Sequence, residues 1–350
     1  MAGTEKITAQ QRAVNFAALT RQYYQMSETH TINGGAQNVE IRIPSVRILQ
    51  GIRLYVYGNI NAKESTSGSH ALGDYDIYRM LRNIRLNFNN NFAPITISGY
   101  EKALLNATYP NGGAVTGALK STASIATSAS GVSTPFSFML DLPLTINYRD
   151  LFGLILAQNK ESIIELALDF DDPRAVVKNA SGVTATYENV KIVCEFTTFS
   201  IPKQAEAFPD LSVLKIEQSN RYDINIGNNE VRLPTGMIYR KLLLLFEDSS
   251  GTALSTSQIT SDMELILNTA DTNYKVSPDM LRMVNALQLG FNLPTGVYAF
   301  LLDWQGIPSM GGSRDYIDTA KITEFSLRFN SSAAGRLTAI QEKLSPLIAG

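Results

Sequence analysis

Residues Phe136–Phe170, FSFMLDLPLTINYRDLFGLILAQNKESIIELALDF, decide the fold because their pattern returns near the C-terminus. Phe138-Met139-Leu140-Asp141 lines up with Phe300-Leu301-Leu302-Asp303, Arg149-Asp150 with Arg314-Asp315, and Glu165–Phe170 with Glu324–Phe329. Each time a strand ends in Asp, a loop carries Arg-Asp, and a second strand reads Glu-apolar-small-Leu-charged-Phe. Short apolar strands resemble one another by composition, so a single match says little. Three in the same order indicate a duplicated unit.

The two halves also open alike. Ile41-Arg42-Ile43-Pro44 matches Val231-Arg232-Leu233-Pro234, and an apolar strand follows in both, Ile52–Tyr57 and Leu242–Phe246. The offset narrows from 190 to 162 within the repeat, so the first half carries the longer insertion. Residues Asn106–Pro135, rich in Gly, Ala, Ser and Thr, read as that surplus, a long surface loop.

Ahead of the repeats, residues 8–26 read as a helix. Thr8 and Gln11 fit a capping box, and Phe16, Leu19, Tyr23 and Met26 form an apolar stripe with Arg12 one turn before it. From about residue 37 short alternating strands dominate, separated by turn signals such as Asn33-Gly34, Ser181-Gly182 and Ser250-Gly251. Residues Pro278–Leu289 are an exception with helical spacing. Strand density in a unit of about 150 residues that occurs twice favours an eight-stranded jelly roll over an immunoglobulin sandwich, whose Cys…Trp…Cys core is missing. The expected class is all-β: two tandem eight-stranded jelly rolls with an N-terminal helix and short accessory helices. Its expected parts are an N-terminal helical arm (1–36), a first jelly roll (37–202, with the loop 106–135) and a second (203–350).

With 30 basic and 32 acidic residues the net charge is −2, so no global field draws the chain to nucleic acid. Arg79, Arg82 and Arg85 form a local cluster that reads as a solvated edge. The single cysteine, Cys194, shares a strand face with Val190, Ile192 and Phe196 and reads as a small buried hydrophobe. No apolar signal segment opens the chain, and its longest apolar run, Leu151–Ala157, is far short of a membrane span. A soluble product made in the cytoplasm is expected.

Catalytic patterns are sparse. The only histidines, His30 and His70, lie beside no candidate nucleophile, and no GxSxG occurs. Asp169, Asp171 and Asp172 lack calcium-loop spacing and read as a solvated turn. Glu161 with Glu165, or Glu217 with a distant partner, would suit a glycosidase, but the only Trp is Trp304 and aromatic sugar platforms are wanting. No enzyme activity, metal or cofactor is expected.

The chain resembles the major capsid proteins of tectivirus-type tailless, internal-membrane bacteriophages, in the double jelly-roll lineage that includes the adenovirus hexon. Leu142-Pro143-Leu144, Tyr148–Gly153 and Leu156–Asn159 are similar to that family's VPLAYSETDLTGAVLAN segment. Leu293–Tyr298 is similar to its FPKGVYY strand start. Ile84–Leu105, with Ser98-Gly99-Tyr100, is similar to its SGWHLHF region, with Tyr100 in place of Trp, and Ile7–Gln11 is similar to its start. The resemblance implies a homotrimer whose six jelly rolls form a pseudo-hexagonal tile of an icosahedral shell. It implies an arm, with Arg12, Phe16, Leu19, Tyr23 and Met26, facing neighbouring subunits or an internal viral membrane. Minor capsid and vertex proteins are its other implied partners, with no specific nucleic acid, and the virion its implied location. Arg149, Asp150, Arg314 and Asp315 are expected to fix structural corners, since a catalytic pair is seldom needed twice. The competing expectation is a carbohydrate-binding β-sandwich of the phage spike or lectin kind.

Overall fold

Two units of antiparallel sheet make up the computed structural model, which describes residues 8–89, 92–109, 122–146, 151–157, 163–177, 182–209, 211–268, 271–303 and 316–346. The first unit comprises residues 1–107 and 114–215 with the last five residues, and the second 108–113 and 216–345. In the first, helix α1 (Ala9–Leu19) precedes β1 (Gln22–Met26), β2 (His30–Gly34), β3 (Gln37–Arg42), β4 (Ile48–Lys63), β5 (Gly68–Ala71), β6 (Leu81–Phe88) and β7 (Phe92–Ile97). Helix α2 (Gly99–Ala107), β8 (Ser124–Thr127), β9 (Val132–Pro143), β10 (Ile155–Leu156), β11 (Ile164–Phe170) and β12 (Thr184–Phe199) follow. Strand β13 (Val213–Ile224) leads into the second unit. There β14 (Gly227–Arg232), β15 (Ile238–Asp248), β16 (Met263–Leu267) and β17 (Asp271–Val276) precede helix α3 (Pro278–Leu289). Strands β18 (Val297–Leu301), β19 (Ile317–Asp318), β20 (Phe325–Ser331) and β21 (Gly335–Pro346) complete it.

The sheets follow one plan twice. In the first unit β12 lies between β4 and the pair β1 and β2, and β4 also pairs with β9. The facing sheet runs β3-β11-β6-β7. In the second unit the orders are β13-β21-β15-β18 and β14-β20-β16-β17. Both are jelly-roll orders, so the fold class expected from the repeat is the fold observed.

Alternation places the cores. Strand β11 buries Ile164, Leu166, Leu168 and Phe170 while Glu165, Ala167 and Asp169 are partly exposed, the period of 2 that a half-buried strand requires. Cys194 is fully buried beside Ile192 and Phe196, as its strand face required. Burial pushes its thiol up to about 12, which leaves it a small inert hydrophobe. In the second unit Phe246 packs edge-to-face on Tyr298 and Phe329, with ring centroids 5.6 and 5.1 Å apart, inside a core that includes Leu242, Leu244 and Leu327. Helix α3 occupies the residues its spacing predicts. Ser277 accepts from the Met280 backbone at its start, and Gly290 adopts φ +77° at its end, a conformation glycine takes without strain.

Two expectations need correction. The N-terminal helix stops at Leu19, because Thr20 is extended and Tyr23 and Met26 belong to β1, which pairs with β12. Its capping box is present, with the Gln11 amide nitrogen donating to Thr8 Oγ1 and the Thr8 amide nitrogen to Gln11 Oε1 at 2.8 Å. Residues 106–135 are not one loop: Asn106 and Ala107 form the end of α2, β8 pairs with β5, and Val132–Pro135 opens β9. Poor apolar content did not prevent these strands, because hydroxyls satisfy the backbone; Thr122 Oγ1 donates to the Pro135 carbonyl, and Thr134 Oγ1 accepts from the Ala126 amide. His70 lies on β5, across from Ile125 of β8.

Candidate functional site

The jelly-roll plan sets up an ionic ladder on the outer face of one sheet in each unit. In the first unit Arg53 of β4 stands directly across from Asp141 of β9 and Glu195 of β12. Its guanidinium lies 2.8 Å from Glu195 and 3.8 Å from Asp141, and all three side chains keep roughly a third of their surface in water. In the second unit Arg240 and Lys241 of β15 meet Asp303, just past β18, and Glu342 of β21. Neighbouring residues on a regular strand point to opposite faces. Here a bulge between Tyr239 and Lys241 lets Arg240 and Lys241 both reach Asp303 Oδ2, at 3.2 and 3.3 Å. Strand, charge and position recur, but the solvation does not: Arg240 is 4% exposed and Lys241 and Glu342 are 0%.

Two aromatic groups cover the second ladder. The Lys241 ammonium lies 4.2 Å from the centre of the Tyr109 ring and donates to the Thr108 carbonyl at 3.0 Å. Tyr109 Oη contacts Glu342 Oε2 and lies 3.1 Å from Glu217 Oε1. Arg240 Nε donates to Tyr316 Oη at 3.0 Å, and Arg240 also pairs with Glu342. Burial disfavours every charge here, and the partners oppose it. Burial alone would lower the Arg240 guanidinium, but Glu342 and Asp303 hold it up. Burial pushes the Lys241 amine down against the pull of Asp303 and Glu342. Burial, then the Glu217 and Glu342 carboxylates, push the Tyr109 phenol well above its ordinary value. The arrangement clamps the Thr108-Tyr109 segment onto the sheet.

Lys343, next along β21, has burial without a carboxylate partner among the described residues, and its amine is pushed down to about 8. The unfolded chain then holds a proton between about pH 8 and 10.5 that the folded chain has released, so stability rises with pH across that window. Lys343→Met should flatten the rise, which thermal melts of both proteins from pH 7 to 10 would measure.

The structure separates the residues of the arm. Phe16 is 1% exposed and sits with Ile48 and Leu154, its ring 5.2 Å from that of Phe199. Arg12 is exposed, Leu19 is 50% and Met26 60% exposed, and Tyr23 carries the Arg47 guanidinium 3.8 Å above its ring. The five therefore form no single helix face. The corner residues Arg149, Asp150, Arg314 and Asp315 lie outside the described residues, as do Glu161 and Trp304.

Asp169, Asp171 and Asp172 do not converge. Asp169 accepts from Asn83, Asp171 Oδ1 from the Asp172 amide, and Asp172 caps a short 3-10 turn at Arg174. Among the described residues no group of three or more potential metal-ligating side chains occurs, and no helix is long and apolar enough to cross a membrane. Arg82 and Arg85 are exposed, while Arg79 pairs with Asp76 at 3.0 Å. Sequence reading singled out Asp141, Asp303 and Glu217 but missed Arg53, Glu195, Arg240, Lys241, Glu342 and Tyr109. A basic residue directly before or within the echoing apolar strands was the available signal.

The fold is a double jelly roll, a fold it shares with solved structures of viral major capsid proteins. The crystal structure of the major capsid protein of Sulfolobus turreted icosahedral virus is similar over 93% of this chain and 97% of that one, with TM-score 0.70 and 14% identity. The capsid protein VP54 of PBCV-1 is similar over 95% of both chains, at TM-score 0.66 and 10% identity. The major capsid protein of bacteriophage PM2 covers 93% of this chain and 98% of its own at TM-score 0.54 and 11% identity. No family model matches the sequence, and no curated protein does.

Proposed function

We propose that this chain is a major capsid protein with no enzymatic activity, three copies of which form a pseudo-hexagonal tile of an icosahedral virion shell. The observation that carries this reading is the pair of jelly rolls in one chain, similar to viral capsid proteins over nearly their whole lengths. Three chains with two like units each present six nearly equivalent edges, which lets one sequence meet many lattice neighbours. Large apolar side chains left in water offer contacts for such neighbours: Met280, Met283 and Leu287 follow one face of α3, and Val14, Leu19 and Met26 lie along the arm. Phe16 anchors the arm, and its exposed residues face neighbouring subunits or an internal membrane. The tectivirus-type lineage, the vertex and minor capsid partners and the corner role of Arg149, Asp150, Arg314 and Asp315 belong to the same proposal.

Light scattering and negative-stain imaging of the full chain test it. A mass of three times 38.4 kDa and hexagonal tiles are expected, and removal of residues 1–19 should keep the trimer while lowering the yield of shells. A monomer that binds glycans on an array and never assembles would favour the carbohydrate-binding alternative.

A further inference from the structure

We propose that Lys241 and Asp303 condense to an intramolecular isopeptide bond that staples β15 to the end of β18. The amine nitrogen lies 3.3 Å from Asp303 Oδ2, and Asp303 follows closely on Leu301 of β18, the strand partner of Lys241. The two reacting groups are therefore already placed, which replaces a bimolecular encounter by an effectively unimolecular step. The Lys241 side chain is 0% and that of Asp303 12% exposed.

Three features favour condensation over a lasting ion pair. First, burial penalises the separated charges, and moving one proton from ammonium to carboxylate gives a neutral amine and acid that bury more cheaply. Burial already lowers the Lys241 amine, the state in which a lysine is a nucleophile. Second, Asp303 Oδ1 is buried and makes no hydrogen bond among the described residues. An amide has one oxygen fewer than the carboxyl, so the reaction removes the acceptor that the fold leaves unsatisfied. Third, Arg240 Nη2 lies 3.2 Å from Asp303 Oδ2, where a guanidinium stabilises the negative charge of a tetrahedral intermediate.

The balance is complete without a co-reactant. One ammonium proton passes to the carboxylate, the amine nitrogen bonds to Asp303 Cγ, the C–OH bond breaks, and the hydroxyl leaves as water with the second nitrogen proton. The amide keeps one N–H, and nothing is oxidised or reduced. Burial also keeps bulk water from reversing the step. The first unit supplies a contrast, because Arg53 occupies the ladder opposite Asp141 and there is no lysine amine in it. One bond per chain is expected.

Intact-mass spectrometry of the denatured full-length protein, after incubation in the folded state, tests the proposal. The wild type should be one water lighter than its sequence, and a digest should yield a branched peptide joining Lys241 to Asp303. Asp303→Ala should show no such loss, and its mass can be read whether or not it folds. An unmodified wild-type mass, a water loss mapped to other residues, or a loss that persists in Asp303→Ala would each overturn the assignment.

Discussion

Replacing Glu342 with alanine is expected to lower the unfolding free energy by about 3–5 kcal/mol, the cost of leaving buried cations without their anion. Arg240, 4% exposed, would lose the Glu342 carboxylate it pairs with, and Tyr109 would lose an acceptor. The matching change in the first unit, Glu195→Ala, is expected to cost only about 0.2–1 kcal/mol, because Arg53 and its partners sit in water. Equilibrium denaturant unfolding followed by circular dichroism measures both. Equal costs would mean that solvation does not separate the two ladders. The double replacement of Arg240 and Glu342 by leucine should recover most of the loss, since an apolar pair of similar volume leaves no charge behind.

The second large effect is expected at Phe246→Ala, about 3–5 kcal/mol from lost transfer energy plus the cavity. The ring is fully buried and touches Tyr298 and Phe329 from two sides, so collapse of the site is resisted by two other aromatic groups. Phe246→Leu refills part of the volume and should fall between wild type and alanine in the same unfolding experiment.

The jelly-roll class was legible because the echoing residues are those that build matching strands. Phe138–Asp141 lies in β9 and Phe300-Leu301 in β18, and Glu165–Phe170 and Phe325–Phe329 lie in β11 and β20. Local signals also held: the Thr8 box begins α1, and Ser277 begins α3. What failed was continuation of a helical period past Thr20, where pairing of Tyr23 with Thr198 overrides a stripe that local spacing alone supports. The ladders were illegible for a related reason. Arg53, Asp141 and Glu195 are neighbours only through strand register, and a single sequence carries no record of register. The burial of Arg240 and Lys241 was hidden too, because the groups that cover them, Tyr109 and Tyr316, lie far away in the chain.

Strand β21 lies between β13 and β15, yet it is made after both. During synthesis the first jelly roll can close once β12 has emerged, pairing with β4 well before the second half exists. The second must wait with β13 and β15 unjoined until β21 follows, since their shared partner is still missing. Non-local pairing of this kind is slow to form and leaves strand edges open meanwhile. A nascent chain thus carries one closed jelly roll and one open one until β21 is made.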